Sequence, residues 1–289
     1  MQQSRRIKAP GVRGVAAAAA FVLSAATAAP AVAADLGAPP AESPPEPARS
    51  EWSVIVSPYL WAASLSGEGA LRGRSVNVEA PFSDIVKDLD LGLMGAVEIT
   101  NGTFGAFFNA EYVDVSNSDV LQLQHPSVGE VTVGASMTTT IIGAGAYYKV
   151  FETALGGDTA FGAPRVFSIS PLAGVRWTRL EGDLKATDGN MSRNVSDSQE
   201  WLDPFVGARA DIDLSSRWNL LIEGDVGGFD VGSKIALNGQ AYLGYRTHFL
   251  GHETILRLGY RALYQDYSSG GFAWDVTQHG PVLGASVKF

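Results

Sequence analysis

The sequence predicts an all-β protein: an antiparallel up-and-down transmembrane β-barrel of about ten strands, with eight to twelve allowed. Apolar and polar side chains alternate along most segments after residue 52, as they do in strands with one apolar face. Short and long connections alternate between these segments, which is typical of outer-membrane barrels. The final segment, GPVLGASVKF, alternates up to its last residue, Phe289. The barrel is predicted over residues 51–289, after a signal peptide and a Pro-rich linker.

Residues 1–34 are predicted to be a secretory signal peptide. The segment MQQSRRIKAPGVRG carries four basic residues, and an Ala-rich apolar run follows it as far as Ala34. Small residues at its end offer a cleavage site after Ala33 or Ala34. An uncleaved membrane anchor is the alternative. Export across the inner membrane would bring the rest of the chain into the cell envelope.

Residues 35–50, DLGAPPAESPPEPARS, contain five prolines in sixteen residues. Proline lacks a backbone N–H and disfavours both helices and sheet interiors, so this segment is predicted to be an extended spacer. A partner-docking role is the alternative interpretation.

The composition excludes several classes of function. The chain has no cysteine, so disulfides and thiol chemistry are excluded. Removing the signal peptide takes away four of the 21 basic residues and no acidic one, so 17 basic residues remain against 30 acidic, a net charge of −13. Such an acidic body argues against nucleic acid as a partner.

The polar faces of the predicted strands carry a nearly balanced set of charges that would point into the barrel. The predicted network consists of Glu98, Glu111, Lys149, Arg176, Arg209, Asp211, Glu223, Asp225, Arg246, Arg257 and Arg261. A tight turn at residues 215–217 would set Arg209 opposite Glu223, and Arg246 and Arg257 are expected to face each other across the next bend. Two interpretations stay open. The charges either neutralise one another and fill a narrow lumen, or they form a constriction that selects solutes.

The long polar connections are predicted at residues 67–90, 117–135, 186–199 and 268–278, with residues 70–79 either extending a hairpin or adding strands to the wall. One of them contains PFSDIVKDLD, which has the spacing of a short amphipathic helix. Its apolar residues are Phe82, Ile85, Val86 and Leu89. This segment either docks on the wall or plugs the barrel mouth.

No catalytic site, metal site or cofactor is predicted. His125 and Ser127 have the H-x-S spacing of outer-membrane lipid A deacylases, but a proline separates them and the supporting strand context is missing. The histidines are not spaced as zinc ligands, and the loop carboxylates Asp183, Asp188 and Asp197 lack the spacing of a known calcium loop.

Two resemblances support the envelope location. The last strand, with Leu283, Val287 and Phe289 on one face, resembles the C-terminal signal that the assembly machinery of bacterial outer-membrane barrels reads. The segments SPYLWAASLSG (57–67) and PFSDIVKDLDLGLMGAVE (81–98) resemble a group of small proteobacterial outer-membrane barrel proteins, OmpA-like or porin-like, of ill-defined role. The resemblance implies the fold, outer-membrane lipids as surroundings and the assembly machinery as a partner. It implies no activity, and the oligomeric state stays open.

The expected function is a structural or surface-interaction role for a barrel with a largely filled, charge-paired lumen. A narrow channel for small solutes is the first alternative, and an enzyme that modifies lipid or lipopolysaccharide is the second. A water-soluble periplasmic β-sandwich is the alternative fold.

Overall fold

The computed structural model describes residues 52–71, 74–125, 128–187 and 192–289, so the predicted signal peptide and linker lie outside the described residues. The described chain is almost entirely strand. The elements are β1 (Ser53–Trp61), β2 (Ser64–Leu71), β3 (Arg74–Ala80), α1 (Phe82–Ile85), β4 (Leu89–Thr100), β5 (Phe104–His125), β6 (Val128–Tyr148), β7 (Phe151–Asp158), β8 (Pro164–Thr187), β9 (Ser192–Asp213), β10 (Trp218–Gly228), β11 (Ile235–Phe249), β12 (His252–Ser269) and β13 (Phe272–Lys288).

Ten of these strands close into an antiparallel barrel, as predicted. The order around the wall is β1-β4-β5-β6-β8-β9-β10-β11-β12-β13, and β13 pairs with β1 to close it. At the seam, the backbone N–H of Val54 donates to the Phe289 carbonyl, and the N–H of Phe289 donates to the Val54 carbonyl. Closure removes the unpaired edges that an open sheet would expose. We call the rim at which β1 begins and β13 ends the terminal rim, and the opposite one the far rim.

The three extra strands lengthen the wall without widening it. β2 pairs with β13 beyond β1, so β1 and β2 form one line that is interrupted at residues 62–63. β3 pairs with β2 and completes a hairpin at the far rim, which resolves the prediction for residues 70–79. β7 pairs with the start of β8 at the terminal rim, where it continues the line of β6.

Two of the predicted long loops are strand over most of their length. β5 and β6 remain paired as far as His125 and Val128, and β8 and β9 as far as Thr187 and Ser192. A strand of 22 residues such as β5 is about 70 Å long, far more than a tilted strand needs to cross a bilayer. The predicted loop at residues 268–278 is also wrong, because only Gly270 and Gly271 separate β12 from β13.

The outer surface of the barrel is apolar between two rims. Leu258 is 60% exposed and Leu283 63%, whereas their inward neighbour Val282 is only 2% exposed. Aromatic side chains stand exposed at the terminal rim; these are Trp52, Phe104, Tyr148, Phe151, Trp218, Phe249 and Phe289. Among the described residues, no helix has the length and apolar character needed to cross a membrane. The alternation in the sequence therefore separates an apolar exterior from a mainly polar interior.

Candidate functional site: the charged lumen

A three-residue ion cluster lies in the lumen on the terminal-rim side. The register places Arg209 opposite Glu223, as predicted, and Arg209 Nε lies 2.8 Å from Glu223 Oε2. The same guanidinium reaches Glu98 with Nη1, at 2.9 Å from Oε2. Tyr147 donates to the other oxygen of Glu98 at 2.6 Å, and its ring lies 4.5 Å from the guanidinium of Arg209. The cluster is therefore held by hydrogen bonds and by two aromatic rings, since the ring of Phe107 also lies 5.9 Å from the Arg209 guanidinium.

A second cluster lies one layer closer to the far rim and is more deeply buried. Arg261, 5% exposed, forms an ion pair with Glu111, 4% exposed. Its Nε donates to Asn238 Oδ1 at 3.0 Å, and the Asn238 amide donates to Asp225 at 2.8 Å. Asp225 also accepts from Arg176 at 2.9 Å with both oxygens. The chain of contacts gives each buried charge an oppositely charged partner, without which it would be costly to bury, and leaves Nη1 of Arg176 without a hydrogen-bond partner.

These contacts cross the lumen from wall to wall. Glu98 is on β4 and Arg209 on β9, four strands away in a ring of ten. Glu111 is on β5 and Arg261 on β12, again four strands apart. Strands that far apart lie nearly opposite each other in a ten-stranded barrel. The side chains therefore bridge the bore at two levels.

Two apolar clusters occupy the lumen from the level of these bridges toward the far rim. Trp61 lies 4.4 Å from the Arg261 guanidinium and packs in a cluster with Ile141, Leu263 and Val282. A second cluster nearer the far rim contains Leu180, Trp201, Trp274 and Val276. The Trp201 ring stacks on Tyr267 with centroids 4.3 Å apart.

A polar junction that the sequence did not reveal lies between the two apolar clusters. Asp203 is fully buried and accepts hydrogen bonds from the backbone and the hydroxyl of Ser233, at 2.6 and 2.9 Å. Gln265 and Trp201 donate to it as well, at 3.1 and 3.2 Å. Apart from Trp201 on the same strand, its partners come from two distant segments, so neither local spacing nor strand register pointed to it.

The prediction that Arg246 and Arg257 face each other is wrong. The register sets Arg246 opposite Ile255 and Arg257 opposite Gly244, two residues further along. Arg246 instead forms a buried ion pair with Asp213, from the end of β9. The cause is the two-residue turn between β11 and β12, which pairs Phe249 with His252 and so fixes the offset.

A cavity of about 440 Å³ lies between the charged clusters and the terminal rim. Arg257 lines it and donates from Nε to the Ser286 hydroxyl at 2.9 Å. Asp211 also lines it and accepts from the Asn219 amide at 3.1 Å. We call this space the lower chamber.

The β7–β8 hairpin borders the lower chamber at the terminal rim. The Ala160 N–H at its tip donates to the Ser216 carbonyl at 2.7 Å, and the Phe161 ring meets His248 at 5.4 Å. The tip is thus tied to the turn between β9 and β10 and to the end of β11. Lys149 was predicted as part of the luminal network. It forms an ion pair with Glu152 at the base of this hairpin, where the side chain of Glu152 is half-exposed.

The segment predicted either to dock on the wall or to plug the barrel mouth contains the short helix α1, which lies on the outer side of the wall. The backbone N–H of Phe82 donates to the hydroxyl of Ser64. Ser64 lies opposite His279 on β13, which belongs to the outward face, so Ser64 faces outward too. Val86 is 48% exposed and Leu89 36% exposed, while Ile85 is half-buried. The described side chains of the two luminal clusters come from strands. A plug role has no support in these contacts.

Asp84 in this helix forms an exposed ion pair with Lys87, two residues after the helix ends, and Lys87 Nζ lies 2.8 Å from Asp84 Oδ1. The hydrogen bond from Lys87 lowers the pKa of the Asp84 carboxyl below its ordinary value. Both groups are well solvated, so this pair contributes little to stability.

The catalytic and metal positions considered in the sequence are only partly visible. Ser127 and Asp188 lie outside the described residues, and only the backbone of His125 is described. Within the described part of the chain, no three His, Asp or Glu side chains come together as a metal site.

No protein-family model matches the chain, and no curated protein matches it. Solved structures that resemble it are outer-membrane barrels. The outer-membrane protease OmpT of Escherichia coli is 10% identical over 83% of this chain and 97% of that one, with a TM-score of 0.45. The attachment invasion protein Ail of Yersinia pestis is 11% identical over 82% and 98%, with a TM-score of 0.29.

A major outer-membrane protein of Thermus thermophilus is 16% identical over 82% of this chain and 99% of that one, with a TM-score of 0.33. Similarity at this level carries no inference about role. The family resemblance drawn from residues 57–67 and 81–98 therefore stays a prediction.

Proposed function

We propose that the chain is an outer-membrane β-barrel with a closed lumen, and that it acts as a structural scaffold which presents surfaces for interaction. Residues 1–34 would direct export, and the last strand, with Leu283, Val287 and Phe289 facing outward, would be read by the barrel-assembly machinery. Outer-membrane lipids would surround the wall. No catalytic step is part of this proposal.

The apolar exterior supports insertion into a membrane. Residues such as Leu243, Leu258 and Leu283 lie side by side on neighbouring strands and are 40–63% exposed. Contiguous apolar surface of this kind is rare on soluble monomers. In a bilayer the same surface contacts lipid. The belt of exposed aromatic side chains at the terminal rim would then lie at the interface between membrane and water.

The main evidence that the lumen is closed is the buried ion pair between Arg261 and Glu111. It joins opposite walls, the Trp61 cluster packs against it, and the second apolar cluster lies nearer the far rim. A solute that crossed the barrel would have to break this pair and displace the cluster. Separating the pair would leave both charges buried without a partner, at a cost of about 3–5 kcal/mol.

The interaction surface would lie at the far rim. The paired hairpins β5–β6 and β8–β9 continue well past the apolar belt, so they would project beyond the membrane. Backbone pairing along most of their length gives such hairpins a defined shape, which suits a surface that a partner recognises.

Single-channel recording tests the closed lumen. We expect the purified wild-type protein, reconstituted in planar bilayers, to produce no stepwise currents. A gel-mobility shift between unheated and boiled samples of the same preparation would establish that the barrel is folded. Reproducible ohmic steps from folded wild-type protein would contradict the closed lumen and favour the narrow channel.

A further inference from the structure

Arg257 differs from the other luminal arginines in its surroundings. Arg176, Arg209, Arg246 and Arg261 each lie within 4 Å of a carboxylate. Among the described residues, Arg257 has no carboxylate at that distance, and its contact is the neutral hydroxyl of Ser286. Its Nη1 atom is buried and has no hydrogen-bond partner in the protein. A guanidinium in this state is a strong donor with unused capacity.

The neighbouring strands leave space beside this guanidinium. The residues directly opposite Arg257 are Gly244 on β11 and Gly284 on β13, so no side chain stands directly beside it on either strand, and its contact on β13 is Ser286, two residues further along. A Cβ on Gly244 would lie 2.2 Å from Asn219 Oδ1, so a larger residue does not fit there without rearrangement. The lower chamber of about 440 Å³ lies directly against Arg257, and this is the size of pockets that hold small molecules.

A second arginine and several apolar side chains line the same region. Arg246 uses one nitrogen for Asp213, while its buried Nη1 has no partner. An adjoining cavity of about 410 Å³, below the β7–β8 tip, shares both arginines with the lower chamber. The apolar side chains common to both cavities are Ile55, Val166 and Ile255. The region therefore offers donors for an anionic group and an apolar wall beside them.

We propose that the lower chamber is a binding site for a small organic carboxylate with an apolar body, which enters from the terminal rim. The carboxylate would accept hydrogen bonds from Arg257 and from Nη1 of Arg246, and the apolar body would lie against Ile55 and Ile255. The Arg261–Glu111 pair and the two apolar clusters of the lumen close the path from the far rim.

The lining is neutral as a whole, so the preference for an anionic group comes from the unused donors of Arg257 and Arg246. Its lining contains five acidic and five basic side chains, and four of the basic ones are in ion pairs. Asp211 lies in the same lining and takes its hydrogen bond from Asn219. One anionic group can therefore accept hydrogen bonds from Arg257 and Arg246, whereas a second negative charge would lie among the carboxylates of the lining and would find no further unused arginine donor there.

Titration calorimetry with benzoate as the probe tests the site. We expect the folded wild-type barrel in detergent to bind benzoate. The neutral isostere benzyl alcohol should bind about tenfold more weakly or worse, because its hydrogen bond to arginine is not charge-assisted. Inorganic phosphate should bind more weakly by a similar factor, because its second negative charge has no partner. Absence of benzoate binding, or equal binding of benzyl alcohol, would overturn the proposal without any variant.

A matched pair of variants locates the site. Arg257→Gln should weaken benzoate binding about tenfold or more. Arg179→Gln, which removes an arginine from the outer face, should leave it unchanged. The heat-dependent mobility shift reports whether each variant is folded. Unchanged binding in folded Arg257→Gln would exclude the lower chamber. Neither outcome depends on conductance or on the role of the far rim.

Discussion

Replacing Glu111 by alanine is expected to lower the free energy of unfolding by about 3–5 kcal/mol. The substitution leaves the guanidinium of Arg261, which is 5% exposed, without its carboxylate in the middle of the barrel. Asn238 is a neutral partner and cannot replace the lost charge. Urea unfolding in detergent, followed by tryptophan fluorescence, measures the change, and Trp61 against Arg261 lies at the affected position.

The control for this variant is Glu253→Ala, which removes an exposed partner of Lys288 at the terminal rim. Exposed pairs contribute about 0–1 kcal/mol, so this change should be small. If Glu111→Ala were no more destabilising than Glu253→Ala, the Arg261–Glu111 pair could not be a buried bridge across the lumen.

Replacing Leu258 by arginine is expected to destabilise the lipid-embedded barrel by about 2–4 kcal/mol. Leu258 is 60% exposed on the outer face, and Leu243 and Leu283 flank it on the adjacent strands. In a bilayer this position contacts hydrocarbon, where a guanidinium loses its hydration. Unfolding and refolding in lipid vesicles over a urea gradient measures the cost.

Leu250→Arg is the matched control, because Leu250 is 83% exposed in the turn between β11 and β12. A charge at the interface costs about 0–1 kcal/mol, so the two variants should differ by more than about 1 kcal/mol. Equal and small effects at both positions would mean that Leu258 faces water, which is what a soluble barrel would show.

The inward and outward faces were predictable because strand side chains alternate with a period of two. That period alone assigns Val282 and Ser286 to the interior and Leu283 and Phe289 to the exterior. Register is predictable across a tight turn, which is why Arg209 was expected opposite Glu223. The same approach was wrong for Arg246 and Arg257, where the position of the turn was not fixed from the sequence.

Contacts across the lumen could not be predicted from the sequence. The pairs Arg261–Glu111 and Arg209–Glu98 depend on which strands lie opposite each other, and that follows only from closure and strand count. The extent of the far-rim hairpins was also hidden. Residues 117–122 and His125 are paired with β6 through the backbone, and this pairing continues where the apolar alternation that marks a membrane strand has ended.

Fractionation of cells that make the protein tests the central claim, a barrel in the outer membrane, most directly. We expect the protein in the outer-membrane fraction, with a gel mobility that changes between unheated and boiled samples because the closed ten-stranded wall resists unfolding until heated. A soluble periplasmic product whose mobility does not change on boiling would contradict the account. The exposed apolar belt around Leu258 would then need a protein partner in place of lipid.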